Sequence, residues 1–395
     1  MVNEVQPEPL KPRAPLTEGA VQPPVVMNPV APGNEWVSLS QRQLIWRRFR
    51  RSRIALIGGI VLAIFYVTAL FAEFFSPYAI DTRFTNQIYA PPNLPRFIDV
   101  EGNIHLQPFI YKMIQKIDKQ TLEISFTPDT SQRYPIKFFV QGDPYKMWGL
   151  IPSDIHFFGT GDPEVPIFVI GSDRQGRDMV TRVLFGARVS LTVGLIGVAI
   201  GLILGSILGV ISGYFGGLID DAVQRFAELL LVIPQIPLWM ALAAILPVDW
   251  SAVQVYFGVT IILSLITWGG LARQIRGKTL ALREEGYVLA ARAAGGSHWW
   301  IITRHLLPAN ASHIIVIATL AIPYMILAET ALSFLGLGIR APMVSWGVLL
   351  EEAQNVKVLI FYPWLVIPAV LVIFAVLGFN FVGDGLRDAV DPYSR

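Results

Sequence analysis

Apolar residues run in six blocks long enough to cross a bilayer, at 54–72, 189–215, 229–248, 250–272, 314–339 and 358–383. A hydrocarbon core about 30 Å thick takes about 20 helical residues, so each block predicts a transmembrane helix. The fifth is the least regular, because Pro323 and Glu329 interrupt it. Pro234 and Pro237 fall in the third, where each removes a backbone donor and predicts a kink. The second carries glycine at every fourth position, Gly197, Gly201, Gly205, Gly209 and Gly213. Such a ridge without side chains admits a second helix at close range, either within the chain or at a sliding surface between subunits.

Polar stretches separate these blocks. Residues 1–41 are proline-rich and lack apolar periodicity, which predicts a disordered tail. Residues 42–76 hold a basic entry and the first helix. Residues 77–170 form a soluble insert of mixed charge, with strand-like pieces at 121–126 and 134–140 and a turn signal at Gly142-Asp143-Pro144. It reads as a cap on the outer face or as a dock or gate for an external protein. The helical core occupies 171–395. The fold class is therefore an all-α integral membrane protein of six transmembrane helices with a small mixed insert between the first two.

Composition agrees with that picture and narrows the chemistry. The chain is 53% hydrophobic and 15% charged, with no cysteine and five scattered histidines. Disulfides, thiolate metal sites and cysteine nucleophiles are excluded, and no helical histidine pair offers a metal site. The basic residues lie beside the spans and not on a soluble face, so no nucleic-acid partner is expected; the bilayer is. The first span has no small-residue cleavage site close behind it and is expected to remain as a signal anchor. Arg42, Arg47, Arg48, Arg50, Arg51 and Arg53 crowd its entry, which places the N-terminus in the cytoplasm and, after six spans, the C-terminus too. Arg174, Arg177, Arg182 and Arg188 run against this assignment, since it puts them outside.

The polar loop at 273–308 carries the most specific pattern. Residues 287–294 predict a short alanine-rich helix, stopped by Gly295-Gly296, with Ser297 placed to cap a second helix through Trp299 and Trp300 and Pro308 ending or kinking it. A short helix of small residues offers a low-relief surface for a groove on another protein. Ala290-Ala291, Gly295 and Leu307-Pro308 resemble the EAA loop of ABC importer permeases, with Leu289 where that motif has Glu and His305 where it commonly has Ile. Tyr287-Val288, Ala290-Ala291-Arg292-Ala293 and Arg304-His305 with Leu307-Pro308 are similar to the dipeptide/oligopeptide branch. Three more blocks resemble that branch: 171–191 with Gly171-Ser172-Asp173 and Gly176-Arg177-Asp178, then 332–347 with Ser345-Trp346-Gly347, and Gly383-Asp384 through Asp391-Pro392.

The resemblance implies a type I importer permease fold in a bacterial or archaeal cytoplasmic membrane. It implies a heterodimer with a second permease, two cytoplasmic ATPases that carry the ATP, and an extracytoplasmic solute-binding protein. No cofactor would bind this chain and it would not be an enzyme. Glu285, Tyr287, Ala290, Ala291, Arg292, Gly295, Leu307 and Pro308 would form the ATPase-coupling site. The expected solutes are dipeptides and oligopeptides; the long insert also occurs in a subset whose relatives carry oligosaccharides or other solutes. An ionisable group in a span faces protein or water, so Glu329 is a candidate pathway or gate residue together with Pro234 and Pro237. Against that stands a satisfied carboxylate held by backbone donors near the outer end of the fifth helix. Asp173, Arg177 and Asp178 read as a structural ion cluster.

Rival classes fare worse. A membrane enzyme needs convergent acids or histidines, and a secondary transporter more often shows inverted repeats and several buried acids. Gly277-Lys278-Thr279 lacks the glycine a phosphate loop needs at position 272, where Ala272 stands. Asn310-Ala311-Ser312 matches a glycosylation triplet at the inner surface by accident.

Overall fold

The computed structural model describes residues 40–117 and 124–390. The expected disordered tail thus lies outside the described residues apart from its last two positions, as do residues 121–123 of one strand-like piece. The chain enters through a basic helix α1 (Gln41–Phe49), started by a reciprocal cap in which Ser40 Oγ accepts Gln43 N–H and the Gln43 side chain accepts Ser40 N–H. Then follow α2 (Arg53–Leu70) and α3 (Ala72–Phe75).

The insert is built of β1 (Arg96–Ile98), β2 (Ile104–Ile117) and β3 (Ile124–Pro135) in one antiparallel sheet, and β4 (Lys137–Met147) paired with β5 (Ile151–Gly159) in another. Ile110, Ile136, Val165 and Ile167 make its small core. Trp148 Nε1 donates to Leu70 O at 2.8 Å, tying the insert to the end of α2. The expected turn at 142–144 is not one. Gly142, Asp143 and Pro144 continue β4 across a register shift between Gln141 and Tyr145. Asp143 holds the shift by accepting Ala79 N–H at 3.0 Å and Thr82 Oγ1–H at 2.5 Å, and a shifted position leaves Pro144 without the ladder bond it cannot make.

The helical part runs α4 (Met179–Phe215), α5 (Gly217–Val232), α6 (Gln235–Ala244), α7 (Ala252–Leu282), α8 (Gly286–Ala293), α9 (His298–Ile301), α10 (Leu307–Phe334), α11 (Trp346–Glu351), α12 (Val356–Phe361) and α13 (Ile367–Val390). Among the described residues five helices are long and apolar enough to cross a membrane, and α5 with α6 makes a sixth if that bent pair is one span. The third span therefore differs from the straight block at 229–248. It starts at Gly217, and α5 and α6 meet at 91°. Ile233, ahead of Pro234, is extended at φ −72° and ψ 130°, as the proline ring requires of its predecessor. Pro237 causes no second break, because it lies in the first turn of α6 where an N–H has no helical partner.

Two further spans differ from the apolar blocks. α10 passes Pro323 without ending and stops at Phe334, before Gly336 at φ 74°. The sixth span breaks at Tyr362-Pro363 and continues from Pro363 to Val390. Helix α4 has 37 residues, about 55 Å of rise, well beyond the bilayer core. From Gly201 onward its glycine ridge faces α7: a Cβ on Gly205 would lie 2.7 Å from Leu271 Cβ, and one on Gly213 2.8 Å from Thr279 Cβ. The ridge thus serves packing within the chain. Gly194 and Gly197 turn the same helix toward Ile326 and Met325 of α10.

The arginines that opposed the topology are each paired. Arg177 and Arg182 bond Asp173, Arg174 lies 3.3 Å from Glu352, and Arg188 donates to both carboxylate oxygens of Glu73 at 2.8 and 2.6 Å. The structural reading of Asp173 and Arg177 agrees with this geometry; Asp178 instead caps α4, accepting Thr181 N–H at 2.7 Å and Thr181 Oγ1–H at 2.8 Å.

Burial pushes the Asp178 carboxyl up to about 7, outweighing the hydrogen bonds from Thr181 and Val180 that hold it down. With the folded value above the unfolded one, its contribution to stability is present below the ordinary carboxylate range and lost as pH rises through about 7. Asp178→Asn keeps a capping oxygen without the charge. The variant is expected to gain on the wild type as pH rises from 5 to 8, by a few kcal/mol at about 1.4 kcal/mol per pKa unit. Thermal melts of the detergent-solubilised protein across that range check it, and a difference independent of pH would contradict it.

Candidate functional site

The loop between α7 and α10 folds into two short helices. Glu285 precedes α8 in extended conformation, at φ −67° and ψ 144°; its side chain makes no cap bond, and its carbonyl accepts Val288 N–H at 2.9 Å. Gly295 ends the turn after α8 at φ 80°, a conformation in which a side chain is strained, and Gly296 N–H reaches back to Ala291 O at 3.0 Å. Ser297 then caps α9 through Trp300 N–H at 3.3 Å. Pro308 does not end that helix. A single π turn over Ile302–Leu306 connects α9 to α10, and Leu307 N–H bonds Ile302 O. The i→i+5 spacing absorbs a residue ahead of the proline, which then sits in the first turn of α10.

One residue anchors α8. Val288 is fully buried in a cluster with Val210 and Tyr214 of α4, Ile275 of α7, Ile301, Ile302 and Leu306 of the loop's second half and Ile317 of α10; Ala291 and Leu307 pack against it. The opposite face, Gly286, Leu289, Ala290 and Ala293, is exposed, at helical spacings of three, four and seven. Tyr287 is 43% exposed and Leu289 44%, so the position where the motif has Glu is a free apolar side chain. Arg292 lies over the Tyr214 ring at 5.4 Å, and Tyr214 Oη lies 2.9 Å from His298 Nδ1. His305, in the place of a common Ile, is half-buried against Trp300 and Tyr287 at ring distances of 4.8 and 6.0 Å. Glu285 through Gly295 thus lie on or beside α8 and Leu307 packs against its anchor, while Pro308 is exposed in the first turn of α10.

Sequence reasoning missed the supports below this helix. Asp220 at the start of α5 accepts Arg276 Nε–H at 2.6 Å and also bonds Arg276 Nη2 and Ser212. Arg283 Nη1 donates to Gly213 O at 3.2 Å. Asn310, fully buried, donates to Thr279 Oγ1 at 3.2 Å and Leu306 O at 2.9 Å, which also disposes of the glycosylation triplet. An acid, an amide and arginines beside apolar spans were the available signal. Gly277-Lys278-Thr279 is internal to α7, with no phosphate loop.

The candidate gate residues are not neighbours in one site. Glu329 is 0% exposed and receives Ser190 Oγ–H at 2.9 Å, Ser333 Oγ–H at 2.8 Å and a bond from the Ser345 hydroxyl. Its partners are side-chain hydroxyls from three segments, not backbone donors, and Ser190 Oγ in turn accepts Trp346 N–H at 3.1 Å. Pro234 stands at the bend of the third span. Leu231 and Gln235 on either side of it line a cavity of about 320 Å3, shared with Gln274, Leu320 and Tyr324. Glu329 and Pro237 do not line that cavity. Among the described residues no cluster of three histidines or acids is placed to hold a metal.

The family described as "Binding-protein-dependent transport system inner membrane component" matches residues 181–395, and "N-terminal TM domain of oligopeptide transport permease C" matches residues 40–92. The chain is 33% identical over 357 residues to the dipeptide transport system permease protein of Lactococcus lactis subsp. cremoris, covering 90% of this chain and 91% of that one. A Bacillus subtilis dipeptide transport system permease protein is 31% identical, covering 91% and 88%. The oligopeptide transport system permease protein of Escherichia coli K12 is 42% identical over 231 residues, 57% of this chain and 72% of that one.

Proposed function

Because this chain belongs to the family of binding-protein-dependent transport system inner membrane components, and so is a multi-pass permease subunit of an ABC importer, we propose that it carries dipeptides and oligopeptides as one half of a heterodimeric channel. ATP is hydrolysed on two cytoplasmic partner chains, and an extracytoplasmic binding protein delivers the solute. The N- and C-termini and α8 lie on the cytoplasmic side. What supports the coupling role most is the construction of α8: one face locked by Val288 to α4, α7 and α10, the other a low, exposed stripe. A groove on an ATPase that grips the stripe pushes through Val288 on a cluster that α4, α7 and α10 share. Peptide as solute is supported by the names of the relatives, which cover nearly the whole chain.

The test is reconstitution. Proteoliposomes holding this chain, its partner permease, both ATPases and the binding protein are expected to accumulate a labelled tripeptide in an ATP-dependent way, and not a trisaccharide of similar size. Accumulation of the trisaccharide alone would overturn the solute; tripeptide entry indifferent to ATP would overturn the coupling.

A further inference from the structure

The hairpin of β4 and β5 joins the insert to the end of the first span. Its tip is closed by Gly149 N–H bonding Lys146 O and Leu150 N–H bonding Met147 O, each at 3.0 Å. Trp148 and Gly149 take φ 52° and 74°. Positive φ at both central positions marks a type I′ turn, whose first position ordinarily takes asparagine, aspartate or glycine. A tryptophan there is strained, and contacts of its ring offset that cost. The indole makes them with the end of α2: Nε1–H donates to Leu70 O at 2.8 Å, and the ring lies 5.5 Å from that of Phe71.

These contacts fix the height of the tip. Helix α2 has 18 residues, about 27 Å of rise, so it needs its whole length to cross the hydrocarbon core. Its last residue, Leu70, therefore stands at the edge of that core. Among the described residues α2 is also the least buried of the five spans, and Ile60, Ile64, Val67 and Leu70 make an exposed apolar stripe along it that only lipid tails suit. The tip continues this surface. Leu150 is 80% exposed and Ile151 53%, and residues 146–152 contain no acid. Beside the tip, Phe74 of α3 meets Phe139 and Phe157 of the hairpin at ring distances of 6.1 and 5.8 Å. A band of aromatic rings at the end of a span is how membrane proteins anchor at the interface. Lys146, exposed next to the turn, has the reach to bring its ammonium group to the headgroups.

We infer that the β4–β5 tip is a lipid-binding element, which inserts Leu150 and Ile151 into the leaflet at the C-terminal end of α2 and holds Trp148 at headgroup level. A soluble partner is the poorer occupant, because at this height water gives way to headgroups. The insert is thus seated on the bilayer as well as on the helices. This goes beyond the permease reading and does not depend on the solute.

The test exploits the lack of cysteine, which lets one substitution place one label. Full-length Leu150→Cys carrying an NBD fluorophore is reconstituted with cysteine-free partner permease and ATPases in phosphatidylcholine liposomes. Leu150 projects from the surface, so the substitution leaves the fold intact. Nitroxides on the lipid chains are expected to quench most of its emission, and iodide in the water little of it. Glu101→Cys, in the exposed polar turn between β1 and β2, should show the reverse. The same dye at both positions cancels its own affinity for lipid. Iodide quenching at position 150 as free as at 101 would place the tip in water and overturn the inference. Protection from both quenchers would also overturn it, since a partner chain and not lipid would then cover the tip; so would a lipid-quenched signal that is lost when the binding protein is added.

Discussion

Ala290→Arg is expected to reduce solute-stimulated ATP hydrolysis and uptake by about a hundredfold while leaving insertion and thermal stability of the permease unchanged. Ala290 is exposed on the stripe of α8, one turn from Gly286 and Ala293, so a long side chain there meets nothing within this chain. Pressed into a groove on a partner, an unpaired guanidinium costs about 2–5 kcal/mol, and each 1.4 kcal/mol is about tenfold in the bound population. Val288→Asp is the contrasting variant. It places a charge in a fully buried cluster and is expected to destabilise the permease before any partner is involved. ATPase assays in proteoliposomes, beside melts of the isolated permease, distinguish the two. Full stimulation in a well-folded Ala290→Arg assembly would remove α8 from the coupling role.

The stripe was legible in the sequence because short-range chemistry determines it. Gly295 at positive φ, Ser297 capping α9 and the alanines ahead of both are local choices that need no tertiary partner. Val288 was not legible as the anchor, since an aliphatic residue among alanines is as readily a surface position; only the packed ends of α4, α7 and α10 make it a core residue. Pro308 shows the same division. Its incompatibility with a regular helix was evident, but the π turn that accommodates it depends on the frame imposed by α10.

Longer-range features were read less well, each for a physical reason. Hydropathy marks 229–248 as one span because it sees composition and not direction, whereas the bend at Pro234 turns α5 and α6 at 91°. The Asp220–Arg276 pair ahead of that bend joins residues 56 apart in sequence. The turn signal at Gly142-Asp143-Pro144 was overridden by contacts of Asp143 with Ala79 and Thr82, far back in the chain. Glu329 stood out as an intramembrane acid, and Ser333 one helical turn on was within its reach, yet Ser190 and Ser345, which also satisfy it, come from other segments and carry no recognisable spacing. The Arg174–Glu352 and Arg188–Glu73 pairs were not legible either, because each joins segments far apart in sequence.

The glycine ridge yields the largest structural effect. Gly209→Leu is expected to cost at least about 3 kcal/mol, since overpacking a well-filled contact costs about 1–3 kcal/mol even where side chains can yield. Here a Cβ alone would lie 2.6 Å from the Ala272 carbonyl oxygen and 3.0 Å from Ile275 Cβ, and a backbone carbonyl bound into its own helix cannot give way. The contact between α4 and α7 would open, and with it the cluster that seats Val288, because Val210 is the next residue of α4 and Ile275 belongs to both surfaces. Loss of α8 anchoring should therefore accompany loss of stability. Gly277→Leu is the matched control on α7, where an added Cβ meets nothing within 4 Å. Size-exclusion profiles and melting temperatures in mild detergent measure the difference. Equal behaviour of the two variants would mean that α4 and α7 do not meet along this ridge, and the route from α8 into the bilayer would have to run through α10 alone.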